Sequence, residues 1–365
     1  MIADLHLLQL QFFSSHVENP AASIASVHFI VYRYVTQTLA EDFMMARAAV
    51  VVSLFFICAA LPATAQTYPA RSIRIVVPYS PGGGTDIVAR IIGQKLGEAW
   101  GQQVIIDNRP GASGMIAGDI VAKSAPDGYT LLMGYTGDVA INLSLFKKMS
   151  FHPVKNFTPV TLAAVAPMIF VLHPSLPANS VKQVIALARA NPGQLPYASA
   201  GVGQPGHLAF ELLQRDAKIQ ITHVPYKGGA PAVTDLVGGH VVMFFSGIMP
   251  AIPHVRTGRL RAIAVSTAKR SPVAPEVPTM IEAGMRGFDL PTWYGVLAPA
   301  GTPKDIVAKL TAEISRALTQ PDVKERLSRE GAEAAPNTPE QFAQFIQSEI
   351  AKYATIIKEA GVRAD

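Results

Sequence analysis

The chain has 365 residues, enough for two domains with cores of their own, and a composition of 49% hydrophobic against 16% charged residues excludes a disordered chain. A single cysteine excludes both a disulfide framework and a cysteine-rich metal centre. The net charge of +5 comes without any basic run interleaved with aromatics, which speaks against nucleic acid as a partner and mildly favours acidic ligands.

Residues 1–43 carry scattered charge and show no helix caps and no clear periodicity. Met44, Met45, Ala46 and Arg47 then make a short positive start before AAVVVSLFFICAALPATAQ. That run has an apolar core of roughly 15 residues, followed by the A-x-A site Ala63-Thr64-Ala65. This is the pattern of a secretory signal cleaved after Ala65; Pro62 and the small residues beside it argue against a buried hydrophobic helix. Ile57 stands where a lipoprotein signal needs a small residue, so no lipid is expected on Cys58. A signal opens its chain, so translation is expected to begin at Met44 or Met45, with 1–43 a mis-called extension and 44–65 the signal. Without residues 1–65 the chain loses two arginines, four carboxylates and the cysteine, leaving 29 basic and 22 acidic residues, net +7. A chain without cysteine suits an oxidising compartment.

The apolar, β-branched run Ile73, Ile75, Val76 and Val77 predicts a buried strand, stopped by Pro78 and Pro81. Gly82, Gly83 and Gly84 allow a tight turn. Thr85 and Asp86 open a helix whose apolar stripe is Ile87, Val88, Ile91, Ile92 and Leu96. Strand, glycine loop and helix N-terminus aim free N–H groups and the positive end of a dipole at one spot, a ready anion site. A strand at 103–107, a glycine-rich turn at 108–114, a helix at 115–123 and a strand at 130–133 continue a β-α-β-α-β run with parallel pairing. Residues 141–160 are looser.

The second half repeats the plan. A strand is expected at 161–172 and a helix from Ser180 to the stop Asn191-Pro192-Gly193. Then come a strand at 195–198, a glycine loop at 199–206 and a helix at 207–216. A strand at 219–224, a helix at 230–237 and strands at 241–245 and 261–266 follow. A strand from Leu290 and helices at 303–319 and 338–360 close the chain, the last with Phe342, Phe345, Ile346 and Ile350 on one face. The chain is expected to cross between two α/β lobes near 166 and return near 290, so that 66–166 with 290–365 form one lobe and 167–289 the other.

Gly201-Val202-Gly203-Gln204-Pro205-Gly206 fits G-x-G-x-x-G between a strand and a helix, a dinucleotide fingerprint when taken alone. No acidic residue ends the next strand to hold a ribose, and Gln204-Pro205 occupies the loop where a pyrophosphate would lie. An α/β enzyme binding a nucleotide at 201–206 is the alternative reading. Signs of catalysis are sparse: Ser199 lacks a G-x-S-x-G context, and His207, His223 and His240 show no metal-ligand spacing. His207 either touches a ligand or caps the loop. Asp86 either caps its helix, a role worth around 1 kcal/mol, or orients a bound polar group. Tyr79, Tyr135, Tyr226, Trp293 and Tyr294 sit at predicted strand ends or beside glycine turns and could wall a cleft.

The stretch Pro78-Tyr79-Ser80-Pro81-Gly82-Gly83-Gly84-Thr85-Asp86 resembles the signature of the tripartite tricarboxylate transporter solute receptors, the Bug proteins. Asp107-Asn108-Arg109-Pro110-Gly111-Ala112-Ser113-Gly114, Asp127-Gly128-Tyr129-Thr130-Leu131-Leu132, residues 197–207, Tyr226-Lys227-Gly228-Gly229 with Asp235-Leu236-Val237-Gly238-Gly239, and Trp293-Tyr294-Gly295 match in order. The resemblance implies a two-lobed α/β periplasmic-binding-protein fold, a Venus flytrap whose lobes are mixed sheets flanked by helices. It implies no catalytic residues, no cofactor and no metal. Two loops would pinch a ligand carboxylate through backbone N–H groups and waters. One contains Tyr79, Ser80, Gly82, Gly83, Gly84, Thr85 and Asp86; the other contains Ser199, Ala200, Gly201, Gly203, Gln204 and His207. Tyr135, Thr136, Ser246 and Trp293 would form the variable wall. Pro205 departs from the serine common there and removes an N–H, shifting the pincer to Gly203, Gln204 or Gly206. The expected partners are a small carboxylate (a dicarboxylate, an aromatic acid or an acidic amino acid) and a membrane permease of the tripartite type, with the receptor a monomer in the periplasm.

Overall fold

Strand β1 (Ile73–Val77) sits between β2 (Val104–Asn108) and β3 (Thr130–Tyr135), parallel to both, with Ile75 opposite Ile106 and Leu131. In this computed structural model the described residues are 31–33, 35, 36, 47 and 68–362. The chain divides into two units, 1–66 and 67–365. In the first, the described residues are helical; the proposed start at Met44 or Met45 and the cleavage site at Ala65 lie outside the described residues.

Both faces of β1 are covered, which is why its sequence is a continuous apolar run: Ile73, Ile75 and Val77 enter one core and Val76 the other. Antiparallel β10 (Thr292–Pro299) joins the far side of β3, β4 (Phe157–Ala166) follows, and the short β11 (Glu333–Ala334) forms the edge. The six-stranded order is β11-β4-β10-β3-β1-β2. A second sheet has five strands in the order β7-β6-β8-β5-β9, made of β5 (Met168–Leu172), β6 (Pro196–Ser199), β7 (Thr222–Pro225), β8 (Met243–Gly247) and β9 (Arg261–Val265). Here β6 runs parallel to β7 and β8, while β5 is antiparallel to β8 and β9. Both sheets are mixed.

The run expected as one strand over 161–172 is two strands in different sheets, separated by Pro167 alone. Proline lacks the N–H that would continue the ladder. The chain returns to the first sheet between β9 and β10. The two passages are bonded to each other: Thr292 Oγ1 donates to Ala166 O at 3.0 Å, Ser266 N to Met168 O at 2.9 Å, and Ser266 Oγ to Leu290 O at 2.7 Å.

Helices cover both sheets. They are α1 (Gly84–Trp100), α2 (Met115–Ala122), the one-turn α3 (Asn142–Leu145), α4 (Val181–Ala190), α5 (Pro205–Ala217), α6 (Gly229–Val237), α7 (Ile248–Arg256), α8 (Lys304–Thr319), α9 (Pro321–Arg329) and α10 (Pro339–Ala360). In α1, Val88, Ile91, Ile92 and Leu96 are buried. The long α10 starts on a capping box: Gln341 N donates to Thr338 Oγ1 while Thr338 N donates to Gln341 Oε1. The loose stretch 141–160 holds α3 and the start of β4. Helices α7 and α9 add to the sequence-based expectation. Pro250 and Pro253 disguise the first, and the second is a short, mostly charged helix that begins on Pro321.

Candidate functional site

Between β1 and α1 the chain turns on Gly82, whose φ of +84° is a left-handed conformation open to glycine. Gly83 caps α1. Gly84 faces the inside of the molecule: a Cβ there would run into the Tyr294 hydroxyl and come within 2.9 Å of Met249 Cε. Gly83 has ordinary room, its added Cβ meeting nothing nearer than 3.7 Å, so the steric constraint of the triple glycine lies at Gly84. Thr85 and Asp86 are buried in the first turn of α1. Asp86 spends its carboxylate within the loop: Oδ2 accepts from Gly82 N at 3.0 Å and Arg90 Nε at 2.8 Å, and Oδ1 from Asn108 Nδ2 at 3.0 Å. It shapes the loop; the structure does not aim it at a ligand.

The second loop runs from the end of β6 to the start of α5. Gly201 and Gly203 have φ of +136° and +77°. Gly201 N donates to Ser199 Oγ at 3.1 Å, and Gly203 N to His207 Nδ1 at 3.3 Å. Gln204 N donates to Gly201 O. Ser199 Oγ also lies 2.6 Å from His223 Nε2, and the His207 and His223 rings stack at 4.3 Å. Burial pushes both imidazoles down to about 4, so at neutral pH they are uncharged acceptors or donors that stiffen the loop. His207 therefore caps the loop from behind. Pro205 occupies the first helical position, where the missing N–H costs no helical bond. The N–H groups of Gly203 and Gln204, expected to reach a ligand, are engaged within the protein. The nucleotide alternative needs those same N–H groups free.

A cavity of about 230 Å³ lies between the second loop (Ala200 and Gly201), Tyr226 and Lys227 on one side and Tyr79 with the turn at Ser113 on the other; Gly82, Gly83, Gly84, Thr85 and Asp86 do not line it. The cleft is shut by cross-lobe bonds. Ser113 Oγ donates to Val202 O at 2.6 Å, Gln204 Nε2 to Ser113 O at 3.3 Å, and Ser80 N and Oγ both donate to Lys227 O, at 3.1 and 2.8 Å. Tyr79 Oη lies 2.8 Å from Asp138 Oδ1 and 2.9 Å from Gln204 Oε1. Among the expected residues, Tyr79, Ser80, Ala200, Gly201 and Gln204 thus come together around the cleft.

The expected wall is rearranged. Tyr135 packs edge-on to Tyr79 and stacks on Tyr294 at 5.3 Å, so Tyr294 stands where Trp293 was expected. Adjacent strand residues point to opposite faces, and Trp293 enters the core behind β10, edge-on to Phe342 and Phe345, with Nε1 donating to Glu349 Oε2 at 3.0 Å. Thr136 Oγ1 accepts from Trp293 N at 2.8 Å and ties β3 to β10. Ser246 is fully buried and donates to Gly247 O at 2.9 Å. Ser113, Tyr226 and Lys227 join the site from segments the motifs had already singled out. Asp138 was missed altogether. It is buried in the turn after β3, beside the aromatic cluster, and burial raises its carboxyl to about 7. Among the described residues no cluster of histidine, cysteine, aspartate and glutamate could hold a metal.

The overall fold recurs in known proteins. The structure is similar to that of a Rhodopseudomonas palustris protein with adipate, with a TM-score of 0.79, 38% identity, and coverage of 81% of this chain and 99% of that one. It is similar to the periplasmic binding protein BugD, with a TM-score of 0.79, 33% identity, and coverage of 82% and 100%. It is also similar to MatC from Rhodopseudomonas palustris with bound malate, with a TM-score of 0.77, 38% identity, and coverage of 80% and 100%. These neighbours bear out the two-lobed α/β fold. Residues 88–362 match the family described as the tripartite tricarboxylate transporter family receptor, and the chain belongs to that family.

Proposed function

We propose that this protein is an exported, non-enzymatic receptor that captures a small organic carboxylate between its lobes and releases it to a membrane permease. The observation that carries the reading is the closed cleft, in which glycine turns from both sheets and Lys227 meet around about 230 Å³. That volume lies below the roughly 300–1,000 Å³ of drug-sized pockets and suits a small acid. Among the described hydrogen bonds, the Gly83, Gly84 and Thr85 N–H groups have no acceptor. They stand at the positive end of a 17-residue helix, the arrangement that favours an anion, although they are not part of the cavity's lining. Charge-assisted bonds of this kind contribute roughly 1.5–3 kcal/mol each, so three or four outweigh association costs enough for micromolar affinity. Relatives of the same fold hold adipate and malate, and dicarboxylates are the class proposed here. The periplasm is the proposed location, in keeping with BugD and the signal-like sequence at 44–65.

The test is a thermal-shift screen followed by calorimetry with adipate, malate, an aromatic acid, aspartate, NAD and ATP. A dicarboxylate is expected to raise the melting temperature and bind with a micromolar constant. A shift with NAD or ATP and none with any carboxylate would overturn the proposal.

A further inference from the structure

We propose that the closed form binds a proton at Asp138, and that Asp138 is a positioning residue whose protonated carboxyl sets the Tyr79 hydroxyl to bridge the cleft to Gln204. The effect on affinity rests on the receptor reading above; the proton itself does not.

The argument is a count of hydrogens. Tyr79 Oη is within 2.8 Å of Asp138 Oδ1 and 2.9 Å of Gln204 Oε1. A tyrosine has one hydroxyl hydrogen, and an ionised carboxylate and an amide oxygen only accept. With Asp138 ionised, one of these two oxygen–oxygen contacts has no hydrogen in it. Reversing the Gln204 amide moves the conflict elsewhere, because Oε1 would then face the Ser113 carbonyl, which now lies 3.3 Å from Nε2. One added proton resolves the set. Asp138 donates to Tyr79, Tyr79 donates to Gln204 Oε1, and Gln204 Nε2 donates to Ser113 O.

The surroundings favour the neutral acid. Glycine at 114 and 137 lets the network close, since a Cβ on Gly114 would come within 2.8 Å of the Asp138 Cβ and one on Gly137 would collide with the Gln204 amide. The titratable groups facing Asp138 are Tyr79 from the loop after β1 and Tyr135 at the end of β3. From α10, Tyr353 faces Tyr135, and Glu349 is held by Trp293 and Lys352. Asn142 of α3, Ser113 and Gln204 are neutral. Burial dominates the carboxyl's environment; hydrogen bonds to it, such as the long one from Tyr135 N to Oδ2 at 3.4 Å, offset this only in part and no cation does, which places it at about 7.

Asp138 and Tyr79 belong to the six-stranded side and Gln204 to the five-stranded side. Opening removes Gln204 from Tyr79 and admits water to Asp138, so the proton is required in the closed state and dispensable in the open one. Closure then takes up a proton, and by linkage affinity falls, by at most about tenfold per pH unit, as pH rises from the ordinary carboxyl range of the open state to the closed-state value, and levels off above it.

Two measurements on the purified protein test this. The first is carbon-13 NMR of the aspartate carboxyls across pH 4–9, assigned through the backbone, without ligand and at saturating adipate. In the closed, ligand-bound form Asp138 is expected to titrate near neutrality, well above an ordinary aspartate. The second is calorimetry with adipate at pH 6 and pH 8 in buffers of different ionisation enthalpy, for the native chain and Asp138→Asn. The native chain is expected to take up nearly one proton on binding at pH 6 and far less at pH 8, with the weaker affinity at pH 8. In Asp138→Asn the amide N–H supplies the donor permanently, so proton uptake and its pH dependence are expected to vanish. An Asp138 carboxyl titrating in the ordinary range in the ligand-bound form, or an unchanged proton count in Asp138→Asn, would overturn the inference. Should adipate fail to bind, the same titration with whichever acid of the thermal-shift screen raises the melting temperature decides the proton, and failure of every acid counts against the receptor reading.

Discussion

Asp86 and Gly84 lie two residues apart and show how differently neighbouring positions in one motif are used. Burial works against ionisation of Asp86, but the bonds from Arg90, Gly82 N–H and Asn108 outweigh it and hold the carboxyl below its usual range. Its work is to fold the glycine loop. Gly84 does its work by having no side chain, because the Tyr294 ring, stacked on Tyr135, and Met249 of α7 press against its Cα. Met249 can shift its terminal methyl; the buried Tyr294 cannot without disturbing the stack. Gly84→Ala is therefore expected to cost about 1–3 kcal/mol through overpacking. Because Met249 belongs to the other lobe, part of that cost falls on the closed state alone. Thermal melts should show lower stability, and calorimetry with adipate a weaker affinity. Unchanged values in both would show that the loop relaxes freely.

At the scale of elements, the fold was legible wherever a local signal and the tertiary outcome agreed. β1, the glycine turn and α1 follow from a β-branched run, three glycines and an apolar stripe that all point to one arrangement. The capping box at Thr338 likewise marks the start of α10. What could not be read depended on partners distant in sequence. Asp138 looks like an ordinary turn residue until Tyr79, 59 positions away, and Gln204 close over it. Trp293 and Tyr294 are both aromatic, and one residue of register decides which meets the loops. The break at Pro167 was hidden because apolar residues continue on both sides of it. That passage, with its partner near Leu290, is where bending is expected, and Ser266 joins the two. Its hydroxyl donates to Leu290 O at 2.7 Å and accepts from Met168 N at 2.9 Å, fully buried. Ser266→Ala leaves both backbone groups without that partner and is expected to destabilise by about 1–3 kcal/mol. A urea titration showing an unchanged midpoint would mean that other groups satisfy them.

For the molecule as a whole, the cores explain why closure is a definite state. Each of the two hydrophobic clusters draws side chains from both sheets: Val76 and Leu132 share one with Phe170 and Phe245, and Ile75 and Val77 share the other with Ile169 and Phe244. Closure is therefore expected to turn about a shared base, with the open end controlled by a few polar contacts. A ligand shifts such an equilibrium only by its differential affinity for the two states. Weakening a cross-cleft bond should thus lower affinity by disfavouring the closed state. Ser113, which also lines the cavity, offers one case. Its hydroxyl reaches Val202 O at 2.6 Å across the cleft, while its carbonyl is held on its own side by Asn142 Nδ2 at 2.9 Å. Ser113→Ala removes the first bond and keeps the second. A typical net contribution of about 0.5–1.5 kcal/mol translates into affinity for adipate roughly two- to tenfold weaker. Small-angle scattering should show a larger radius of gyration at subsaturating adipate, recovered at saturation, while the unfolding midpoint without adipate changes little. Equal affinity and identical scattering in the variant would mean that the Ser113 bond does not help to hold the lobes closed, and that closure depends on the remaining contacts at Ser80 and Gln204.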